Sequence, residues 1–138
     1  MQVRIKWLEQ RAFEANTGSG HTIMMDGPPE HGGQNRAARP MEMVLVGLGG
    51  CSAFDVVEIL EKSRQSVKDC QIEIDAERAD EIPAVFTKIH MHFIIAGDVL
   101  NEKHVKRAVE LSVEKYCSVA KMMRPNVVIS FDYEIGEG

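Results

Sequence analysis

From Met41 to about Lys62 the sequence is apolar almost all the way round a helix. Met43, Val44, Leu45, Val46 and Leu48 lead into Phe54, Val56, Val57, Ile59 and Leu60, and these positions do not confine themselves to one stripe. A helix apolar on every side has to be buried on every side. A chain of 138 residues builds one core and has difficulty surrounding such a helix alone. The simplest solution is a partner subunit on one side. Pro40 suits the first turn, where no backbone donor is needed. Gly47, Gly49 and Gly50 each cost about 1 kcal/mol of helix stability relative to alanine. They are expected to mark close backbone approach or a kink just before Cys51.

The flanking segments read as strands. Val3, Ile5 and Trp7 alternate with polar residues, an opening strand with one buried face. A strand around Arg11–Ala15 and another over His21–Asp26, separated by the turn cluster 16–20, complete an antiparallel meander. The segment 27–39, rich in glycine and proline, is a long loop of the kind that is functional or mobile. Val67–Arg78 and Val85–Ala96 form a hairpin, with Ile89, Met91 and Phe93 inward. Asn101 caps a second helix running to about Met123, with a break near Tyr116 and with Val105, Ala108, Val109, Leu111, Ser112 and Val113 on its apolar side. Val127–Ile135 closes the chain as a strand. The order β-β-β-α-β-β-α-β is that of an α+β protein, with helices packed on mainly antiparallel sheets. No repeat or composition shift divides it, so residues 1–138 read as a single domain.

The net charge of −5, with acids and bases interspersed, provides no basic face for nucleic acid or an anionic membrane. No secretory signal opens the chain. Asp55 and Glu58 interrupt the best candidate for a membrane span, so no stretch is expected to cross a bilayer. A cytoplasmic location follows. There the three cysteines are not expected to be permanently oxidised.

Those cysteines carry the chemistry. Cys51 and Cys117 each lie in helix-like apolar sequence, far apart along the chain. One buried cysteine is usually an inert small hydrophobe. Two brought to a Cα separation of about 5–7 Å can form a disulfide, one as the attacking thiol and the other as the resolving thiol. Cys70 lies on the apolar face of a strand and reads as core. Asp55 follows Cys51 by one helical turn, within reach of its side chain. A carboxylate beside a thiol opposes thiolate formation, so a buried Asp55 would need a partner such as an arginine or lysine. His90 and His92 share a strand face, but two ligands do not make a metal site. No glycine-rich turn ends in the Lys-Ser or Lys-Thr of a phosphate loop. No cofactor or metal is called for.

The segments Pro40-Met-Glu-Met-Val-Leu-Val-Gly-Leu-Gly-Gly-Cys51-Ser-Ala-Phe-Asp55-Val-Val and Glu114-Lys-Tyr-Cys117-Ser-Val resemble the two cysteine motifs of the OsmC/Ohr superfamily. These are the osmotically induced and organic hydroperoxide resistance proteins, and the likeness is greatest to the YhfA-like branch. Gly20-His21, followed by a strand ending at Asp26, fits as well, and the resemblance covers the whole chain in length and element order. It implies two intertwined subunits with the Cys51 helix at the dimer core. It also implies a two-cysteine reduction of organic hydroperoxides. Cys51 becomes a sulfenic acid, Cys117 condenses with it to a disulfide, and an external dithiol, dihydrolipoyl-type in the family, reduces the disulfide.

The family pairs its first cysteine with an arginine and a glutamate. The glutamate usually follows the proline directly. Here Met41 stands in that place and Glu42 comes next, nine residues before Cys51 and on the opposite helix face. Arg39, beside Pro40, is the candidate arginine; Arg36 and Arg11 are the other choices. The competing readings are a binding module for a small apolar ligand, suggested by Met41, Met43, Met122 and Met123, a redox-sensing thiol protein without fast turnover, and a metal-binding protein using His90 and His92.

Overall fold

A computed structural model describes residues 1–137. The chain forms two compact units, Met1–Val46 and the segment from Gly47 onward. In the first, β1 (Val3–Glu9), β2 (Ala12–Thr17) and β3 (Thr22–Met25) form the expected antiparallel meander in the order β1-β2-β3. The opening strand differs from expectation. Every residue of β1 is exposed, with Val3 at 57%, Ile5 at 54% and Trp7 at 61%. The alternation is present, but β1 is the edge of a three-stranded sheet and nothing in its own unit covers it.

The loop after β3 is tied down by one side chain. Asp26 is buried, and its carboxylate accepts backbone N–H bonds from Gly27 (2.7 Å), Arg36 (3.2 Å) and Gln34 (3.3 Å). These bonds, Gly27's first, hold its carboxyl below the ordinary carboxylate value. The segment folds back so closely that a Cβ on Gly33 would collide with the Gly27 carbonyl.

Helix α1 (Pro40–Lys62) has the predicted bounds and runs without a break through its glycines. A Cβ on Gly49 would lie 3.1 Å from Ile74 Cδ1, whereas Gly47 and Gly50 face open space. Close approach therefore explains Gly49, and no kink does. The buried residues are Leu48, Ser52, Val56 and Leu60, a single stripe spaced by one turn. Val46 (60%) and Phe54 (72%) stand exposed. The expected burial on all sides is not supplied by the chain itself. Asp55 and Glu58 do not keep α1 from being long and apolar enough to cross a membrane by length and composition alone, with a mean hydropathy of 1.8, a property it shares with the core helices of globular proteins.

The second unit holds a three-stranded sheet in the order β4-β5-β6, from β4 (Ser66–Arg78), β5 (Phe86–Asp98) and β6 (Val128–Glu137). β4 and β5 are antiparallel, and β6 joins β5 in parallel. Parallel neighbours need a long crossover, and the second helical region provides it. That region is α2 (Glu102–Leu111), a π-turn over Ser112–Tyr116, and α3 (Ser118–Met123). Asn101 caps α2 through its side chain, 2.9 Å from the Lys103 N–H. Ile89, Met91, Phe93 and Ile95 of β5, with Val105, Ala108 and Val109 of α2, are buried and form the core with the α1 stripe.

Candidate functional site

The break in the second helical region is where the chemistry gathers. A π-turn widens a helix by one residue and is frequent at functional sites. Here it ends at Cys117, which leaves helical geometry (φ −69°, ψ 109°) and caps α3. The Cys117 N–H donates to the Ser112 carbonyl at 2.7 Å. The Arg124 guanidinium clamps the same turn, donating to the Glu114 carbonyl at 3.0 Å and also to the Val113 carbonyl.

Cys117 is fully buried, and its sulfur has two donors. The Ser52 hydroxyl lies 3.1 Å away and the Ala120 N–H 3.4 Å away. The sulfur in turn faces the Leu48 carbonyl at 3.9 Å. Burial pushes the Cys117 thiol up, the two donors pull it down, and neighbouring Cys51 adds a further upward push through hydrogen bonding and charge. The fold thus packs Cys117 against the turn of α1 that carries Leu48 and Ser52, the neighbour of Cys51 in the chain. Cys51 and Cys117 are both free thiols, and Cys51 is partly exposed where Cys117 is not. Burial and the charge of Asp69 raise the Cys70 thiol; it lines a groove of about 700 Å³ beside Gly50, Ala53, Phe54 and Val57.

Asp55 is only half-buried, so the condition for a required cation is not met, and among the described residues it makes no ion pair. Its carboxylate lies 3.5 Å from the Ser112 hydroxyl, which also donates to the Ser52 carbonyl at 2.9 Å. Desolvation raises the Asp55 carboxyl, the Ser112 bond opposes that shift, and the charge of Glu58 adds to it. Asp55 also lines an open groove of about 620 Å³ with Lys62, Arg107 and Tyr116.

The other candidates lie elsewhere in the chain. Arg39 and Glu42 belong to the N-terminal unit, are exposed, and engage each other. Glu42 Oε1 accepts the Arg39 backbone N–H at 2.8 Å, the reach-back half of a capping box. His92 holds Asp132 at 2.7 Å and Glu134 at 3.4 Å, and His90 holds the same Asp132 oxygen at 3.0 Å. The Asp132 bond, then that of Glu134, raises the His92 imidazole. Among the described residues, no group of three or more His, Cys, Asp or Glu side chains is arranged to hold a metal ion.

Two buried serines at this site escaped the sequence reading. Ser112 falls on the apolar side of the second helix, and Ser52 follows Cys51 inside the apolar run. A hydroxyl at a core position must find a partner, and that was the available signal.

Residues 32–132 match the family model for OsmC-like protein. The chain belongs to that family. Its OsmC-like sequence is 50% identical over 135 residues to Protein YhfA of Escherichia coli (strain K12), covering 98% of each chain. A hypothetical protein from Aquifex aeolicus VF5 is 32% identical and superposes with a TM-score of 0.86, over 99% of this chain and 96% of that one. An organic hydroperoxide resistance protein OsmC from Legionella pneumophila shares the OsmC-like fold, with a TM-score of 0.73 at 18% identity and 97% coverage of both chains.

Proposed function

We propose that this OsmC-like protein is a cysteine-based peroxidase that reduces organic hydroperoxides by a two-cysteine mechanism. The observation that carries the reading is the pairing of a partly exposed Cys51 with a fully buried Cys117. The Cys51 thiolate attacks the distal peroxide oxygen. The O–O bond breaks, an S–O bond forms, and the alkoxide takes a proton and leaves as alcohol. Cys117 then attacks the Cys51 sulfenic acid, and hydroxide leaves with the Cys117 proton as water. An external dithiol, dihydrolipoyl-type or other, reduces the disulfide and is itself oxidised. By the family resemblance, an apolar pocket beside Cys51 would favour organic hydroperoxides over hydrogen peroxide. Arg39 and Glu42 remain the proposed catalytic arginine and glutamate, by the family resemblance.

The reading takes residues 1–138 as one OsmC-like domain, supported by relatives matched over 98% of the chain. It also includes a homodimer in the cytoplasm, with no membrane or nucleic-acid partner. The exposed apolar side of α1 supports the dimer, because such a surface is normally covered. The groove along Ala53, Phe54 and Val57 favours a second reading, a binding module for a small apolar ligand.

The test is single-turnover consumption of cumene hydroperoxide and hydrogen peroxide by pre-reduced protein. Fast consumption of the organic peroxide, with a disulfide formed and activity lost in Cys51→Ser, is expected. A Cys51 no faster than an ordinary thiol would overturn the peroxidase and leave the ligand-binding reading.

A further inference from the structure

A sulfur buried away from water has to be stabilised as an anion by protein groups alone. Cys117 is fully buried, and two donors reach it, the Ser52 hydroxyl at 3.1 Å and the Ala120 N–H at 3.4 Å. Ser52 is itself fully buried and spends its hydroxyl on the sulfur. In most helices a serine hydroxyl would turn back to the carbonyl four residues earlier. At Ser52 that acceptor is Leu48, whose carbonyl instead faces the Cys117 sulfur. Ser112 donates to the Ser52 carbonyl at 2.9 Å, a bond to the helix backbone and not to the Ser52 hydroxyl or the sulfur. Neither serine bears on the sulfur of Cys51 in this network.

We propose that Ser52 is a positioning residue for Cys117, holding its sulfur as the leaving group when the Cys51–Cys117 disulfide is reduced. The inference rests on the two-cysteine reading and adds the direction of reduction. A reducing dithiol diffuses from solvent and meets the partly exposed Cys51 sulfur, not the buried one. Its thiolate forms an S–S bond to Cys51, and the Cys51–Cys117 bond breaks. The electron pair leaves on Cys117, into the hydrogen bonds of Ser52 and Ala120. The second thiol of the reductant then displaces Cys51, and two protons from the dithiol restore both protein thiols. A better-stabilised leaving thiolate departs faster. Burial alone would make Cys117 a poor leaving group, and the Ser52 hydroxyl offsets that.

The experiment uses Ser52→Ala, with Ser112→Ala as the control that disturbs the same buried network and leaves a hydroxyl on the sulfur. The disulfide is formed with diamide, and its reduction by dithiothreitol is followed by stopped flow. In parallel, the Cys117 thiolate is titrated by ultraviolet absorbance in a Cys51→Ser, Cys70→Ser background. Ser52→Ala is expected to slow reduction several-fold and to raise the Cys117 titration midpoint by about one pH unit, the size of a hydrogen bond to a charged group. Ser112→Ala should move neither readout. An unchanged midpoint in Ser52→Ala, or an equal shift in Ser112→Ala, overturns the proposal. Failure of diamide to form the disulfide overturns both the direction of reduction and the two-cysteine reading. The titration identifies a failure of Ser52 separately.

Discussion

Phe54→Ser tests the dimer with little risk to the protomer, because Phe54 is 72% exposed and contributes little to the core. Burying a whole phenylalanine side chain stabilises by about 1.5–3 kcal/mol. The exposed 72% of Phe54 therefore has about 1–2 kcal/mol left to gain against a partner. A two-fold dimer contains the residue twice, so the substitution should cost about 2–4 kcal/mol, or about 30- to 700-fold in dimer Kd. Area does not convert cleanly into affinity, but the difference between two variants at one position is less exposed to that error. Sedimentation velocity over a dilution series reads the Kd directly, and circular dichroism confirms that the protomer stays folded. Two results would refute the reasoning. One is a wild-type chain that is monomeric at every concentration. The other is a Kd that moves by less than about threefold, which would mean the partner covers some other face.

Asp26→Asn should lower the melting temperature at neutral pH. The native Asp26 carboxyl is held below its ordinary value of 3.8, so its stabilising effect is full above that pH and is lost as pH falls through the lowered value. Thermal unfolding should therefore show the two proteins converging in acid, and an equal gap at both pH values would count against the anchor. Cys117→Ala should still consume one equivalent of organic hydroperoxide but leave Cys51 without its resolving thiol. Mass spectrometry should then find Cys51 carrying two or three oxygens after excess peroxide where the wild type stops at the disulfide, and equal over-oxidation of the two proteins would show that Cys117 does not resolve it.

The long helix was the most legible element, because its apolar run is bounded by Pro40 at one end and a charged turn at the other, and it runs Pro40–Lys62 as expected. The strand order and the break near Tyr116 were legible for the same reason: periodicity and local chemistry carry them. What the sequence could not show depends on contacts between distant segments. The parallel pairing of β6 with β5 follows from where the crossover returns the chain, which no local pattern records. The exposure of β1 was misread as burial, because hydrophobic pattern tells which face wants cover and not whether this chain supplies it. At the candidate site the cysteines were visible as residues, but Ser52 and Ser112 looked like small polar interruptions. Their role appears only when residues 60 and 65 apart are bonded.

The difference between the two sulfurs bears on the order of events more than either thiol does alone. Cys51 has access to solvent, and Cys117 has none. In the proposed mechanism a diffusing hydroperoxide therefore meets Cys51 first. Burial, first of all, keeps the Cys117 thiol raised, and in the proposed mechanism it brings its proton to the sulfenic acid formed on Cys51. That proton is the one the departing hydroxide requires. In the reverse direction the requirement is opposite, since Cys117 must leave as an anion, and the donors from Ser52 and Ala120 meet it. A dry sulfur with two fixed donors can serve in both directions. A sulfur in water would ionise more readily, but it would also be open to the peroxide itself.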